Sequence, residues 1–159
     1  VAQVKLDALD RKILAALQQN GRITNQELSE AVGLSPSPCL RRLRRLEESG
    51  VISGYVALVD PGKVDQAVSA FVRVRLDQQD DGHLTAFEKA VAQFPEIMEC
   101  YLMTGDCDYQ LRVLSRSLES FEDFLRSKLT KIPGVSGVTT SFALRPVVYN
   151  TRVPLEIDG

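Results

Sequence analysis

Ser35-Pro36-Ser37-Pro38-Cys39-Leu40-Arg41-Arg42-Leu43-Arg44-Arg45-Leu46 is the stretch on which the reading of this chain turns. Ser35 is a favoured N-cap residue, whose hydroxyl can accept one of the orphan backbone N–H groups at a helix start. Pro36 at the first helical position forfeits no hydrogen bond and arrives with its φ already helical. At helical spacing Leu40, Leu43 and Leu46 share one stripe, and Ser37, Pro38, Arg41 and Arg45 lie opposite it, flanked by Arg42 and Arg44. The expected product is a leucine-anchored helix with its guanidinium groups facing water and no acid among them. A solvated basic face is the plain alternative.

The preceding residues argue for a more specific surface. Thr24-Asn25-Gln26-Glu27 has the spacing of a capping box, in which hydroxyl and carboxylate each accept the other residue's backbone N–H. Leu28, Ala31 and Val32 follow as a short apolar stripe, and Gly33 stands where a helix ends in a left-handed residue. Two short helices joined by such a turn make a helix-turn-helix, here at about residues 25–44. A longer helix precedes them: Leu9, Ile13, Leu14 and Leu17 recur at its period, Asp7 or Asp10 caps it, and Asn20-Gly21 closes it. In such units the second helix of the motif enters the major groove and its first residues reach base edges. The residues expected to meet double-stranded DNA are therefore Ser37, Pro38, Arg41, Arg42 and Arg45. Val51-Ile52-Ser53-Gly54-Tyr55-Val56-Ala57-Leu58-Val59 is β-prone and reads as a wing strand, and Asp60-Pro61-Gly62 punctuates it. The winged helix-turn-helix domain is thus placed at 1–60 and a hinge at 61–66.

Beyond the hinge the periodicity changes. Val68, Ala70, Val72, Val74 and Leu76 alternate with Ser69, Phe71, Arg73 and Arg75, as in a strand with one buried face. Leu84, Phe87, Val91 and Phe94 have helical spacing. Met98, Cys100, Leu102 and Thr104 alternate again, Gly105-Asp106-Cys107-Asp108 makes a turn, and Tyr109, Leu111 and Val113 form the partner strand of a hairpin. Leu118, Phe121, Leu125, Leu129 and Ile132 form a second helix, and Val138, Thr140, Phe142 and Leu144 a last strand. The order β-α-β-β-α-β, with Pro95 and Pro133 each ending a helix before a strand, predicts a ferredoxin-like sandwich over 67–159 and an α+β class for the whole. Phe71, Tyr101, Met103 and Leu114 are expected on the less shielded sheet face, where a second copy of the domain would pack.

Charge is distributed unevenly. Lys and Arg number 19 and Asp and Glu 21, and residues 1–60 carry eight of the former and seven of the latter. The remainder holds eleven and fourteen, so the positive charge is focused on one helix. A single head with so modest an electrostatic footprint binds DNA weakly, which implies assembly. No apolar run has the length of a membrane span and no basic-then-apolar leader is visible, so a cytoplasmic location without membrane contact is expected. Cys39, Cys100 and Cys107 have no metal-ligand spacing and only one histidine, His83, accompanies them, so reduced structural thiols are expected, with no metal; a Cys100–Cys107 redox switch is the alternative.

Together these motifs resemble the Lrp/AsnC family of leucine-responsive regulators. The resemblance rests on Leu6-Asp7-x-x-Asp10-x-x-Ile13-Leu14, Gly21-Arg22-Ile23-Thr24-Asn25-x-Glu27-Leu28-Ser29, and Val32-Gly33-Leu34-Ser35-Pro36-Ser37-Pro38-Cys39. Gly50-Val51-Ile52-x-Gly54-Tyr55, Glu99-Cys100 and Gly105-Asp106-Cys107-Asp108-Tyr109 complete it. It implies a transcription regulator, not an enzyme, with a DNA-binding head and an amino-acid-sensing body. It also implies homodimers that build octamers or similar rings. The family's effector pocket draws on the Gly-Asp-x-Asp-Tyr turn, which here gives Gly105, Asp106, Asp108 and Tyr109 with Leu102, Met103 and Thr104 beside them; no other cofactor is implied. On residue types alone the turn reads two ways. Its backbone groups and aspartates suit an amino acid's two charges, and the same aspartates serve equally as turn formers, with Arg145 a partner in reach. Two other functions compete: an architectural DNA-bending protein without effector, and a haem-pathway decarboxylase of similar shape, for which His83 is the sole histidine available.

Overall fold

The computed structural model describes residues 4–156, and the ends of both expected domains, 1–3 and 157–159, lie outside the described residues. The chain divides into two compact units, one of residues 1–58 with 148–159, the other of residues 59–147.

The first unit is a three-helix head: α1 Ala8–Gln19, α2 Asn25–Val32 and α3 Pro36–Glu48. Of the two possible caps for α1 it is Asp7 that takes the N-cap, and Asp10 reciprocates, its carboxylate accepting the Asp7 N–H at 3.1 Å while Asp7 accepts the Asp10 N–H at 2.9 Å. Helix α2 opens on the Thr24–Glu27 box, both halves of which form. It ends at Gly33, whose φ of 74° is left-handed, and the Leu34 N–H returns to the Ser29 carbonyl at 2.9 Å. Helix α3 starts at Ser35 as expected, but the Ser35 hydroxyl makes no capping bond. The reason is local: prolines at the first and third helical positions remove two of the N–H groups a cap serves, leaving only that of Ser37.

Ile13, Leu28, Cys39 and Leu46 form the fully buried centre of the head, with Leu43, Val51 and Ile52 packed against them. The stripe that α3 buries is therefore Cys39, Leu43 and Leu46, and Leu40 is only half-buried. With Cys39 in place of Leu40, the buried stripe is turned by roughly 30° from the all-leucine one. Residues 148–156 belong to this unit rather than to the body: Leu155 packs on the head core, and Gln18 exchanges hydrogen bonds with the Val153 backbone at 3.0 and 2.6 Å. The wing strand expected at 51–59 is not formed; residues 53–60 are irregular, and Tyr55, Val56, Leu58 and Val59 are exposed. A strand needs a paired neighbour, and among the described residues this segment is paired with no other strand.

The second unit contains β1 Val68–Leu76, α4 Asp81–Val91, β2 Ile97–Leu102, β3 Tyr109–Ser115, α5 Leu118–Ser127 and β4 Val135–Phe142. Its sheet has the order β2-β3-β1-β4 with every pair antiparallel, the split βαβ arrangement of a ferredoxin-like sandwich. Ala70, Val72 and Val74 of β1 and Tyr109, Leu111 and Val113 of β3 meet Phe87 and Val91 of α4 and Phe121 and Phe124 of α5 in one core. The opposite sheet face bears no helix. Phe71 and Tyr101 are exposed there among Arg73, Glu99 and Arg112, but Leu114, expected beside them, is buried.

Candidate DNA-reading helix and effector turn

The rotation of α3 decides what its arginines do. With Cys39 and Leu46 inward, Ser37, Arg41 and Arg44 point away from the head, all exposed, and Pro38 is half-buried at their margin. Arg42 and Arg45 fall on the flank facing the start of α1. The Arg42 Nη1 donates to Asp7 at 2.7 Å and to Asp10 at 2.9 Å, and the Arg45 Nη2 pairs with the other oxygen of Asp10. The expectation that no acid stands among the arginines is thus corrected: two of the four are neutralised by α1. Asp7 is held below the ordinary carboxylate value, first by the Asp10 N–H and then by Arg42. Asp10 is fully buried, an arrangement that is tolerable only because three donors surround its two oxygens. Sequence reasoning quoted Asp7 and Asp10 as caps and missed their second function, which needs the docking of α1 against α3.

In the body the turn between β2 and β3 carries the expected effector residues. Leu102, Met103, Thr104, Gly105 and Asp106 are exposed, and Gly105 has a left-handed φ of 112°. Both aspartates are engaged. Asp106 pairs with Arg73 at 2.9 Å and its carbonyl accepts from the Arg75 Nε at 2.6 Å. Asp108 accepts from the Leu76 N–H at 2.7 Å and from the Gln79 amide at 2.7 Å, and its own N–H donates to the Val74 carbonyl. The turn is therefore laced to the end of β1, and Arg73 takes the place imagined for Arg145, which forms no ion pair among the described residues.

Tyr109 does not face the turn's solvent side. It is buried against Phe87, and its phenol donates to Glu88 at 2.8 Å; burial first, then Glu88, pushes its ionisation upward. Beside it, between α4 and the edge strand β2, opens a cleft of about 320 Å³ lined by Glu88, Val91, Phe94, Met98, Cys100, Leu102 and Tyr109. Of the expected set, Leu102 and Tyr109 thus meet at a largely apolar cleft whose lining also includes Glu88 and Glu99, and Asp106 and Asp108 lie along the turn. Glu88 was not anticipated, since an acid in mid-helix carries no signal in the sequence.

Two of the three thiols are held toward their neutral form. Burial raises Cys39, and burial with Glu88 nearby pushes Cys100 up to about 11, which leaves little thiolate at neutral pH. Cys100 pairs across the hairpin with Leu111, Cys107 lies in the turn before β3, and all three cysteines are free. His83 is bound into the start of α4, its Nδ1 2.5 Å from the Asp80 carboxylate, which also accepts the Gly82 and His83 N–H groups.

Comparison with known proteins gives these two units their place. A model described as "Winged helix-turn-helix DNA-binding" matches residues 6–53, and one described as "Lrp/AsnC ligand binding domain" matches residues 69–153. The chain belongs to the Lrp/AsnC family. Relatives include the Bkd operon transcriptional regulator of Pseudomonas aeruginosa, 44% identical over 95% of this chain and 99% of that protein. A leucine-responsive regulatory protein of Rhizobium meliloti is also 44% identical, over 92% and 94%. A transcriptional regulator of Neisseria meningitidis, solved with L-Met, superposes with a TM-score of 0.91 at 40% identity, covering 96% of this chain and 98% of that one. This Lrp/AsnC protein is a transcription regulator with a DNA-binding head and a ligand-binding body, and the decarboxylase alternative falls away. Among the described residues no helix is long and apolar enough to cross a membrane.

Proposed function

We propose that this Lrp/AsnC regulator reads duplex DNA with Ser37, Pro38, Arg41 and Arg44 of α3, and that an amino acid bound in the body shifts its assembly or its affinity for that DNA. The observation that carries the first part is the exposure of Ser37, Arg41 and Arg44 opposite the buried Cys39 and Leu46. Of the residues first expected on DNA, Arg42 and Arg45 stand back, paired with α1. The second part is supported by the L-Met complex of the Neisseria relative and by the cleft that joins Leu102 and Tyr109 to Glu88, where a carboxylate faces apolar walls suited to an ammonium group with an aliphatic side chain. Met103, Thr104, Gly105, Asp106 and Asp108 then form the rim, their positions fixed by the ties to β1.

A ligand acts only through unequal affinity for two arrangements. Those arrangements are packings of a cytoplasmic homodimer, formed over the uncovered sheet face, into an octamer or similar ring. The exposure of Phe71 at 39% and Tyr101 at 56% on that face supports a second copy as its cover. Sedimentation and gel shift with a panel of amino acids including L-Met test the proposal together. At least one compound is expected to change both the sedimentation profile and the shift. If none changes either, the effector role is lost and an architectural DNA-wrapping protein is what stands.

A further inference from the structure

The capping box of α1 does more than start a helix. Asp10 is 0% exposed, and its two side-chain oxygens receive Arg42, Arg45 and the Asp7 N–H, while Asp7 holds Arg42 a second time. The four guanidinium groups of α3 carry four positive charges, and these two carboxylates offset two of them. The pairing is also directional: it draws Arg42 and Arg45 toward α1, on the flank next to Pro38, with Arg45 still half exposed, and among the described residues it leaves Arg41 and Arg44 as the two arginines of α3 without an ion pair.

We propose that Asp10, assisted by Asp7, is a positioning residue for DNA recognition: it withholds Arg42 and Arg45 from phosphate contact, so that the helix meets the duplex with Arg41 and Arg44. This rests on the DNA-reading function proposed for α3. The physical consequence concerns discrimination. Phosphate contacts raise affinity for every sequence alike, whereas base contacts distinguish sequences. Two arginines withdrawn from phosphates weaken non-specific binding and leave the outward pair to set preference. A salt bridge whose role were only to hold α1 on α3 predicts a change in thermal stability and none in ionic-strength dependence.

The test measures binding of the full-length protein to a random-sequence duplex by fluorescence anisotropy across a salt series. Each phosphate contact contributes about 0.9 to the slope of log affinity against log salt. Arg41→Gln is expected to lower the slope by about 0.9 per bound head, and Arg45→Gln to leave it within about 0.3 of the parent. Asp10→Asn, of the same size and without the charge, is expected to raise the slope by up to about 0.9 per head as Arg45 is released while Asp7 keeps Arg42. Its folding is checked by circular dichroism, and the two arginine variants decide the matter should it unfold. A loss with Arg45→Gln equal to that with Arg41→Gln overturns the masking while leaving α3 as the DNA-reading helix. No change in slope or affinity with Arg41→Gln and Arg44→Gln combined removes that helix from the DNA altogether, and the inference falls with it.

Discussion

Asp108 offers the sharpest separation between holding the effector turn and gripping the effector. Its carboxylate accepts the Leu76 N–H and the Gln79 amide, both at 2.7 Å, and its main chain bonds to Val74 and Met103. Asp108→Ala removes the side-chain pair and leaves the N–H of a largely buried Leu76 without its acceptor. A hydrogen bond to a charged group is worth about 1.5–3 kcal/mol, and the exposed Gln79 bond sits at the bottom of the neutral range, near 0.5 kcal/mol. Discounting for partial exposure, the body loses about 2 kcal/mol, which for a domain of this size lowers its melting temperature by roughly 8–16 °C. Asp108→Asn keeps one acceptor oxygen and should lose about 1 kcal/mol. Calorimetry of the full chain reads these shifts, and titration with whichever amino acid the gel-shift panel identifies reads the turn. If Asp108 is a brace, the Asn variant keeps affinity within about tenfold of the parent, the equivalent of 1.4 kcal/mol, while the Ala variant loses both stability and binding. An Ala variant that melts with the parent yet no longer binds refutes the reasoning, because the carboxylate is then spent on the ligand and not on β1.

Three further outcomes follow from the head. Leu46, fully buried among Ile13, Leu28 and Cys39, should cost about 2–5 kcal/mol as Leu46→Ala, lowering the head's calorimetric transition and leaving the body's unmoved. Gly33→Ala meets open space at its new Cβ, so its penalty is the left-handed backbone alone, about 1–2 kcal/mol by urea denaturation; a neutral result contradicts the αL assignment. Asp7 and Glu27 titrate below the ordinary carboxylate range, Asp7 through the Asp10 N–H and Arg42, Glu27 through the Thr24 N–H and hydroxyl. The folded head therefore binds fewer protons than the unfolded chain near pH 4. The stabilisation is complete above the unfolded value of about 4 and is lost as pH falls through the folded ones. Melting of the head followed from pH 6 to pH 2 should decline below about pH 4, and Asp7→Asn should flatten that decline.

The Thr24–Glu27 capping box, the Gly33 turn, the two strands of the hairpin and the alternation of β1 were all readable along the chain, because each depends on groups within a few residues of one another. Misreadings came where a residue's partner is distant or where a small difference in packing rotates an element. Ser35 looked like a hydroxyl cap, but the prolines beyond it leave only the Ser37 N–H for such a bond, and it is not made. Leu40 looked like core until Cys39 took its place, and that rotation carried Arg42 and Arg45 to the flank. Leu114, taken for an exposed residue, is buried. The β-prone run at 51–59 had the composition of a strand without a partner to pair with. The turn between β2 and β3 stands where the hairpin pattern put it, yet its ties to Arg73, Arg75, Leu76 and Gln79 and the meeting of Tyr109 with Glu88 join segments about 20 to 30 residues apart, which no local pattern encodes.

Sequence alone settled the class of protein: a helix-turn-helix head and a split βαβ body are written in helical and alternating periods, and those periods are properties of the backbone itself. Tertiary structure decided which charges remain available for work. Whether an arginine meets a phosphate or an aspartate depends on which carboxylates the packing of Ile13, Cys39 and Leu46 brings within 3 Å of it, and electrostatic attraction follows separation in space rather than order along the chain.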